Sequence, residues 1–215
     1  MENIVIISKK IYLEKIIISG NNYFWISKRF FDIFICLLLF PLLLIITIAL
    51  YFLNIFYNKG AIFFVQKRMG KNCKAFNALK FRTMVDTIEI NRKHSDPLEY
   101  HRITSLGRIL RKLRIDELPQ ILNVIKGDMS LIGPRPDYYD HALLFVESIP
   151  GYNLRHVIRP GISGLSQIRL GYAEGIEATK KKSKVDRFYI ENANFYLDLK
   201  IFLGTIYTIF MGRGL

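Results

Sequence analysis

Residues 33–53 contain no charged side chain, and nothing else in the sequence limits the folding options so strongly. A helix needs roughly 20 apolar residues to span the hydrocarbon core of a bilayer, and this run supplies them. A buried helix of a water-soluble protein would rarely need so much uninterrupted Leu, Ile and Phe, so the segment is predicted to enter a membrane. Two details argue against a simple crossing. Pro41 stands near the middle, where it deletes a backbone hydrogen bond and kinks a helix. Basic residues also flank both ends, Lys28 and Arg29 before and Lys59, Lys67 and Arg68 after, which satisfies the positive-inside rule best when both ends stay cytoplasmic. The expectation is a re-entrant helix-break-helix over 28–58, entering the inner leaflet and returning.

The remaining length of a 215-residue chain suffices for one compact domain, assigned to 59–215, with 1–27 left unassigned between an interfacial helix and a short strand pair. Thirty-one Lys and Arg against 18 Asp and Glu give a formal charge of +13, so the expected partner is a polyanion, a phosphorylated ligand or an anionic lipid surface. Cys36 lies in the apolar run and Cys73 in a polar one, which favours reduced thiols and a cytosolic environment. The four histidines have no metal-site spacing.

Past the apolar run, 62–65 and 76–81 are β-prone around a turn at 68–74, which predicts a hairpin. Strand alternation would put Lys80 and Arg82 on one face, either as a solvated edge or as cations for a ligand. Residues 85–103 are polar and weakly patterned. Thr104 or Ser105 then caps a helix with an apolar stripe of Leu106, Ile109, Leu110 and Leu113 among Arg108, Arg111, Lys112 and Arg114. This cationic helix runs directly into Asp116 and Glu117. Pro119 suits the first turn of a helix that Gly127 ends. The two acids would stand at its N-terminus, kept ionised by a dipole effect of about 0.3–1 kcal/mol. Alone, they read as a capping acid beside a solvated one.

Further on, Pro134 and Pro136 hold the backbone on both sides of Arg135, a rigid presentation of a guanidinium, and a helix follows over 138–148. Arg159 precedes Pro160-Gly161-Ile162-Ser163-Gly164, where amides form either an anion-binding nest or ordinary turns. Lys180, Lys181, Lys182 and Lys184 read as a headgroup-facing surface or a solvated helix face. In the apolar tail, Asp198 and Lys200 argue against a second crossing and for an amphipathic helix on the membrane or on the domain. An anchor, arginines on rigid loops and an acidic pair together suit chemistry on a phosphorylated lipid at a membrane surface.

At this point the chain resembles the bacterial sugar transferase family, the monotopic polyprenyl-phosphate phosphoglycosyl transferases that start surface glycan assembly. The resemblance is carried by Lys28-Arg29-Phe30-Phe31-Asp32, Gln66-Lys67-Arg68-Met69-Gly70, Lys80-Phe81-Arg82-Thr83-Met84 and Asp116-Glu117-Leu118-Pro119-Gln120. Asn123 to Ser130, Gly133-Pro134-Arg135-Pro136, Arg159 to Gly164, and Asp186 with Tyr189-Ile190 complete it. It implies an α-rich α+β protein, with amphipathic interfacial helices around one catalytic domain on the cytoplasmic face of the bacterial inner membrane. The implied activity moves a sugar-1-phosphate from a nucleoside-diphosphate sugar, usually a UDP-sugar, to polyprenyl phosphate. Asp116 would be the nucleophile. Glu117 would help hold Mg²⁺, and Lys80, Arg82, Arg111, Arg135 and Arg159 would bind phosphate.

Phe40 stands before Pro41 where the family has serine, so no serine bridges the freed backbone. The chain resembles the small form of the family, without the extra spans of larger members. A homodimer is left open. The rival reading is a non-enzymatic, membrane-anchored basic protein whose lipid binding falls with salt and ignores Asp116. Nucleic acid is excluded as a partner, because no helix-turn-helix or RNA-binding signature is present.

Overall fold

The computed structural model describes residues 18, 22–85, 99–171 and 175–211. The expectations for 1–17, for most of 85–103 and for 172–174 lie outside the described residues. Helix α1 covers Asn22–Tyr57. Strands β1 (Phe63–Met69) and β2 (Ala75–Phe81) pair antiparallel around a short 3-10 turn, Lys71–Cys73, confirming the hairpin. Then follow α2 (Ser105–Lys112), a 3-10 turn at Ile115–Glu117, α3 (Gln120–Lys126), β3 (Ser130–Ile132), α4 (Tyr139–Ser148), β4 (Gly161–Ser163), α5 (Leu165–Leu170), α6 (Gly175–Asn192) and α7 (Phe195–Phe210).

The predicted break at Pro41 is not an interruption: α1 is assigned helical through the proline along all 36 residues, roughly 54 Å. Pro41 is itself exposed, so its ring and the carbonyl it leaves unbonded face away from the domain. What keeps the helix in place is a single stripe. Phe24, Lys28, Asp32, Cys36, Leu43, Leu50 and Asn54 are buried, at spacings of four and seven, while Phe30, Phe31, Phe34, Leu38, Ile45 and Phe56 stay exposed on the other faces.

Both ends of α1 are bound to the same domain. Near its start, Lys28 Nζ lies 2.6 Å from Asp198 of α7, and Asp32 accepts from Ser130 Oγ at 2.7 Å and from the Leu131 amide at 3.3 Å. Just past its end, Asn58 Nδ2 donates to Arg82 O at 3.0 Å. Between them, Cys36, Leu43 and Leu50 belong to one apolar cluster with Phe81, Leu110, Ile121, Val124 and Met129. The apolar anchor is therefore a wall of the core.

Local signals read correctly. Thr104 Oγ1 accepts from the Gly107 amide at 3.0 Å and starts α2; Gly107 packs so tightly that a Cβ would fall 2.1 Å from Thr83 O. Gly127, at φ 100°, ends α3. The loop predicted after Gly127 contains more than turns: β3 pairs in parallel with β4, Ser130 opposite Gly161 and Ile132 opposite Ser163. Asp198 of α7 is not a solvated charge, since it accepts from Tyr189 Oη at 2.6 Å as well as from Lys28. The exposed side of α7 carries Phe195, Tyr196, Leu199, Phe202 and Leu203, the apolar face expected of an interfacial helix. Of the lysines in α6, Lys182 does not face outward; it is paired inside with Asp137.

Candidate active site

The acids are delivered by a reversal of the chain. After α2 the backbone turns at Arg114, which adopts left-handed φ 55°, ψ 19°, a conformation that costs a non-glycine residue about 1–2 kcal/mol. Its carbonyl accepts from the Glu117 amide at 3.2 Å, and the Ile115–Glu117 turn leads through Pro119 into α3. Asp116 and Glu117 thus sit one turn before α3, both buried, and the helix dipole is not the main influence on them.

Their surroundings differ. Glu117 accepts from Lys80 Nζ at 2.9 Å, takes the two-pronged fork of Arg135 (Nη1 at 3.0 Å to Oε2, Nη2 to Oε1), and has Arg114 Nη1 at 3.5 Å. Burial alone would push its carboxyl up, but Arg135 and Lys80 outweigh burial and hold it well below the usual carboxylate range. Asp116 forms no hydrogen bond or ion pair among the described residues. Burial pushes its carboxyl up, opposed by the charge of Lys80, reinforced by Glu117, and opposed again by Arg111 and Arg135. The expected helix-terminus stabilisation is therefore overridden by desolvation. Asp116 is a carboxylate surrounded by cations and bonded to none of them.

Lys80, Arg111 and Arg135 are the cations that the structure brings to the acids. Arg111 is oriented by Nε donating to Thr83 Oγ1 at 2.9 Å. Arg82 is engaged elsewhere: its guanidinium donates to Ala61 O at 2.7 Å, Lys59 O at 2.8 Å and Asn58 O, so it locks the exit of α1. Arg159 lies at the far end of α3, where Nε donates to Gly127 O at 2.9 Å.

Arg68 and Gln120 had no predicted role, yet with Lys80 and Arg135 they line a small cavity beside the acids. Arg68 Nε donates to Gln66 Oε1 at 2.9 Å and Nη1 to Pro136 O at 2.8 Å; burial, then the charge of Arg135, pushes its guanidinium down to about 10. A signal was present. Phe64 pairs with Lys80 and Gln66 with Ala78, so period-two reading of both strands places Arg68 on the face of Lys80.

A second ion network supports the first. Asp137, which follows the Arg135 loop, accepts from Tyr152 Oη at 2.6 Å, from Lys182 and from Arg155. Arg155 also reaches Asp186 at 2.7 Å and donates from Nη2 to Arg135 O at 2.7 Å. The loop is thus gripped at two successive carbonyls, Arg135 by Arg155 and Pro136 by Arg68.

The profile of the bacterial sugar transferase family matches residues 23–212, which takes in α1, the acids and both networks. The chain belongs to this family. Among sugar transferases it is 41% identical to the UDP-N-acetylgalactosamine-undecaprenyl-phosphate N-acetylgalactosaminephosphotransferase of Aeromonas hydrophila, across 87% of this chain and 44% of that protein. It is 35% identical to the exopolysaccharide production protein PSS of Rhizobium leguminosarum bv. phaseoli, across 88% of this chain and 98% of that one. It is also 35% identical to the UDP-glucose:undecaprenyl-phosphate glucose-1-phosphate transferase of Klebsiella pneumoniae, across 90% of this chain and 42% of that one. The chain therefore spans less than half of the first and third relatives and nearly all of the second.

Proposed function

We propose that this sugar transferase moves a sugar-1-phosphate from a UDP-sugar to undecaprenyl phosphate, the first membrane step in assembling a surface glycan. The observation that carries the reading is the contrast at the site: an unbonded Asp116 beside a Glu117 saturated by cations. An Asp116 oxygen attacks the sugar-bearing phosphorus, the bond from that phosphorus to the bridging oxygen breaks, and UMP leaves with the electron pair. A phosphate oxygen of the lipid then attacks the same phosphorus, forming the lipid diphosphate sugar and freeing the aspartate. Neither step needs a general base, since both nucleophiles are anions. Lys80, Arg111, Arg135 and Arg68 offset the charge of the diphosphate.

Magnesium suits this donor set. It characteristically takes one or two protein carboxylates and fills its other positions with phosphate oxygens and water, and Asp116 and Glu117 are adjacent acids at a cationic cavity. Those two residues would hold Mg²⁺, Asp116 directly and Glu117 on exchanging one of its contacts with Lys80, Arg135 or Arg114, and the ion when bound supplies further neutralisation of the diphosphate. The re-entrant placement, with the domain at the cytoplasmic face of the inner membrane, is supported by the fastening of both ends of α1 to one domain. Cysteines introduced at Ser27 and Asn58 should react with an impermeant thiol reagent from the same side; opposite sidedness would defeat that placement.

The deciding assay incubates the detergent-solubilised protein with polyprenyl phosphate, Mg²⁺ and a panel of UDP-sugars. UMP release with one or a few of them is expected, and chelation of Mg²⁺ should abolish it. No release with any sugar, together with salt-sensitive lipid binding indifferent to Asp116, would replace the enzyme with an anchored binding protein.

A further inference from the structure

The C-terminal end of α3 gathers cations for which the reaction has no use. Arg29, in the second turn of α1, donates from Nη2 to Ile125 O at 3.2 Å and from Nη1 to Met129 O at 3.4 Å. From another direction, Arg159 donates from Nε to Gly127 O. Both guanidinium groups crowd Gly127, where an added Cβ would sit 3.6 Å from Arg29 Nη2. Lys71 stands on the hairpin turn Lys71–Cys73, which packs on the Tyr152–His156 turn that ends three residues before Arg159; partial burial and then the charge of Arg159 act on both Lys71 and Arg29.

A helix C-terminus favours a nearby cation, and that accounts for the N–H groups spent on carbonyls. It does not account for three cations from three elements meeting with Asp32 as the one acid whose charge reaches Arg29. The hydrogen bonds of Asp32 go to Ser130 and Leu131, and Asp128 is bound to Asn123 at 3.3 Å and paired with Lys126 at 3.5 Å. Among the described residues, none of the three cations forms an ion pair, and both Nη groups of Arg159 remain without a bond. Lys71 and Arg159 are exposed. Directly after Arg29 come Phe30 and Phe31, 75% and 60% exposed, where the outer surface of α1 becomes apolar. A phosphate held at this corner would carry its acyl or prenyl chain into that surface.

We propose that Arg29, Lys71 and Arg159 form a docking site for the phosphate of a membrane lipid, distinct from the catalytic acids. The seven residues of α3 set the two sites about 10 Å apart along its axis. A lipid phosphate bound here therefore does not occupy the reacting position; it ties the hairpin turn and the β4 loop to the headgroup layer. The proposal needs α1 in a membrane and does not depend on the transferase reaction.

The test is native mass spectrometry of the full chain in detergent, titrated with short-chain phosphatidylglycerol, polyprenyl phosphate, inorganic phosphate and diacylglycerol. Two charge-matched double variants are compared, Lys71→Gln with Arg159→Gln, and Arg108→Gln with Lys112→Gln on α2, after thermal melts show that both fold. The first pair should weaken one lipid-phosphate binding event about thirtyfold, at roughly a factor of five per cation. The α2 pair should leave it unchanged, and diacylglycerol should not bind. The tighter of phosphatidylglycerol and polyprenyl phosphate identifies the source of the phosphate. Equal weakening by the two pairs overturns the site, as does inorganic phosphate binding as tightly as either lipid.

Discussion

Two buried ion networks lie on either side of the Arg135–Asp137 loop, and they are built alike but finished differently. Around Asp137, Lys182, Arg155 and Tyr152 satisfy the carboxylate, and Lys182 and Arg155 outweigh burial so that it stays well below the usual carboxylate range, while Asp186 is ion-paired to Arg155 with neither oxygen hydrogen-bonded among the described residues. Around Glu117 the same kind of clamp forms, but the next residue, Asp116, is left in the field of the cations without a bond to any. Both carboxylates of the first network are held by a cation, Asp137 by Arg155 and Lys182 and Asp186 by Arg155; the second keeps Asp116 without an ion pair among the described residues. The loop between them joins the two, since Arg155 of the first binds the carbonyl of Arg135, whose side chain binds Glu117 in the second.

The largest effect that could break this comparison is at Asp116. Asp116→Asn should lower UMP release on the order of 10⁴-fold while leaving the melting temperature equal or higher, because a buried charge with no partner is removed. Normal UMP release by that variant would end the nucleophile assignment. Arg155→Met should do the reverse. Deleting one partner of a buried ion network costs about 3–5 kcal/mol, so the melting temperature should fall by roughly 10 °C, seen by calorimetry. An unchanged melting temperature with lost activity would show that the Asp137 network is no scaffold.

Arg135→Lys sharpens the contrast further. Losing the fork on Glu117 should reduce kcat/KM about 10²–10³-fold with a stability change smaller than that of Arg155→Met. The smallest effect is a displacement in pH. Asp116 must be ionised to attack, so activity is lost as pH falls through its folded value, which burial sets above that of an ordinary aspartate; Glu117 remains ionised in that window. Lys80 is the largest counterweight to burial at Asp116. Lys80→Gln should therefore move the acid limb of the UMP-release profile to higher pH, and a stationary limb would separate Lys80 from Asp116.

Features written within a few residues were legible beforehand. Thr104 as a cap, Gly127 as a helix end and the hairpin depend on local backbone chemistry, and each stands where its neighbours imply, while the acidic pair falls one turn ahead of the helix start expected for it. Partnerships across the chain were not legible. Arg82 resembled a ligand cation until the end of α1 supplied three carbonyls for it, and Lys182 resembled a surface charge until Asp137, 45 residues earlier, was found against it. Asp198 resembled a charge for water, yet it is balanced by Lys28 and bonded by Tyr189. Desolvation was the other hidden quantity: helix position alone predicts a stabilised Asp116, and only burial reverses the direction.

The stripe along α1 has a further meaning for how such a protein can be handled or can evolve. Cys36, Leu43 and Leu50 fill the same interior as Phe81, Leu110 and Val124, so α1 is one wall of the domain rather than an attachment to it. Trimming α1 would not leave an intact domain behind. It would leave the interior without one of its sides.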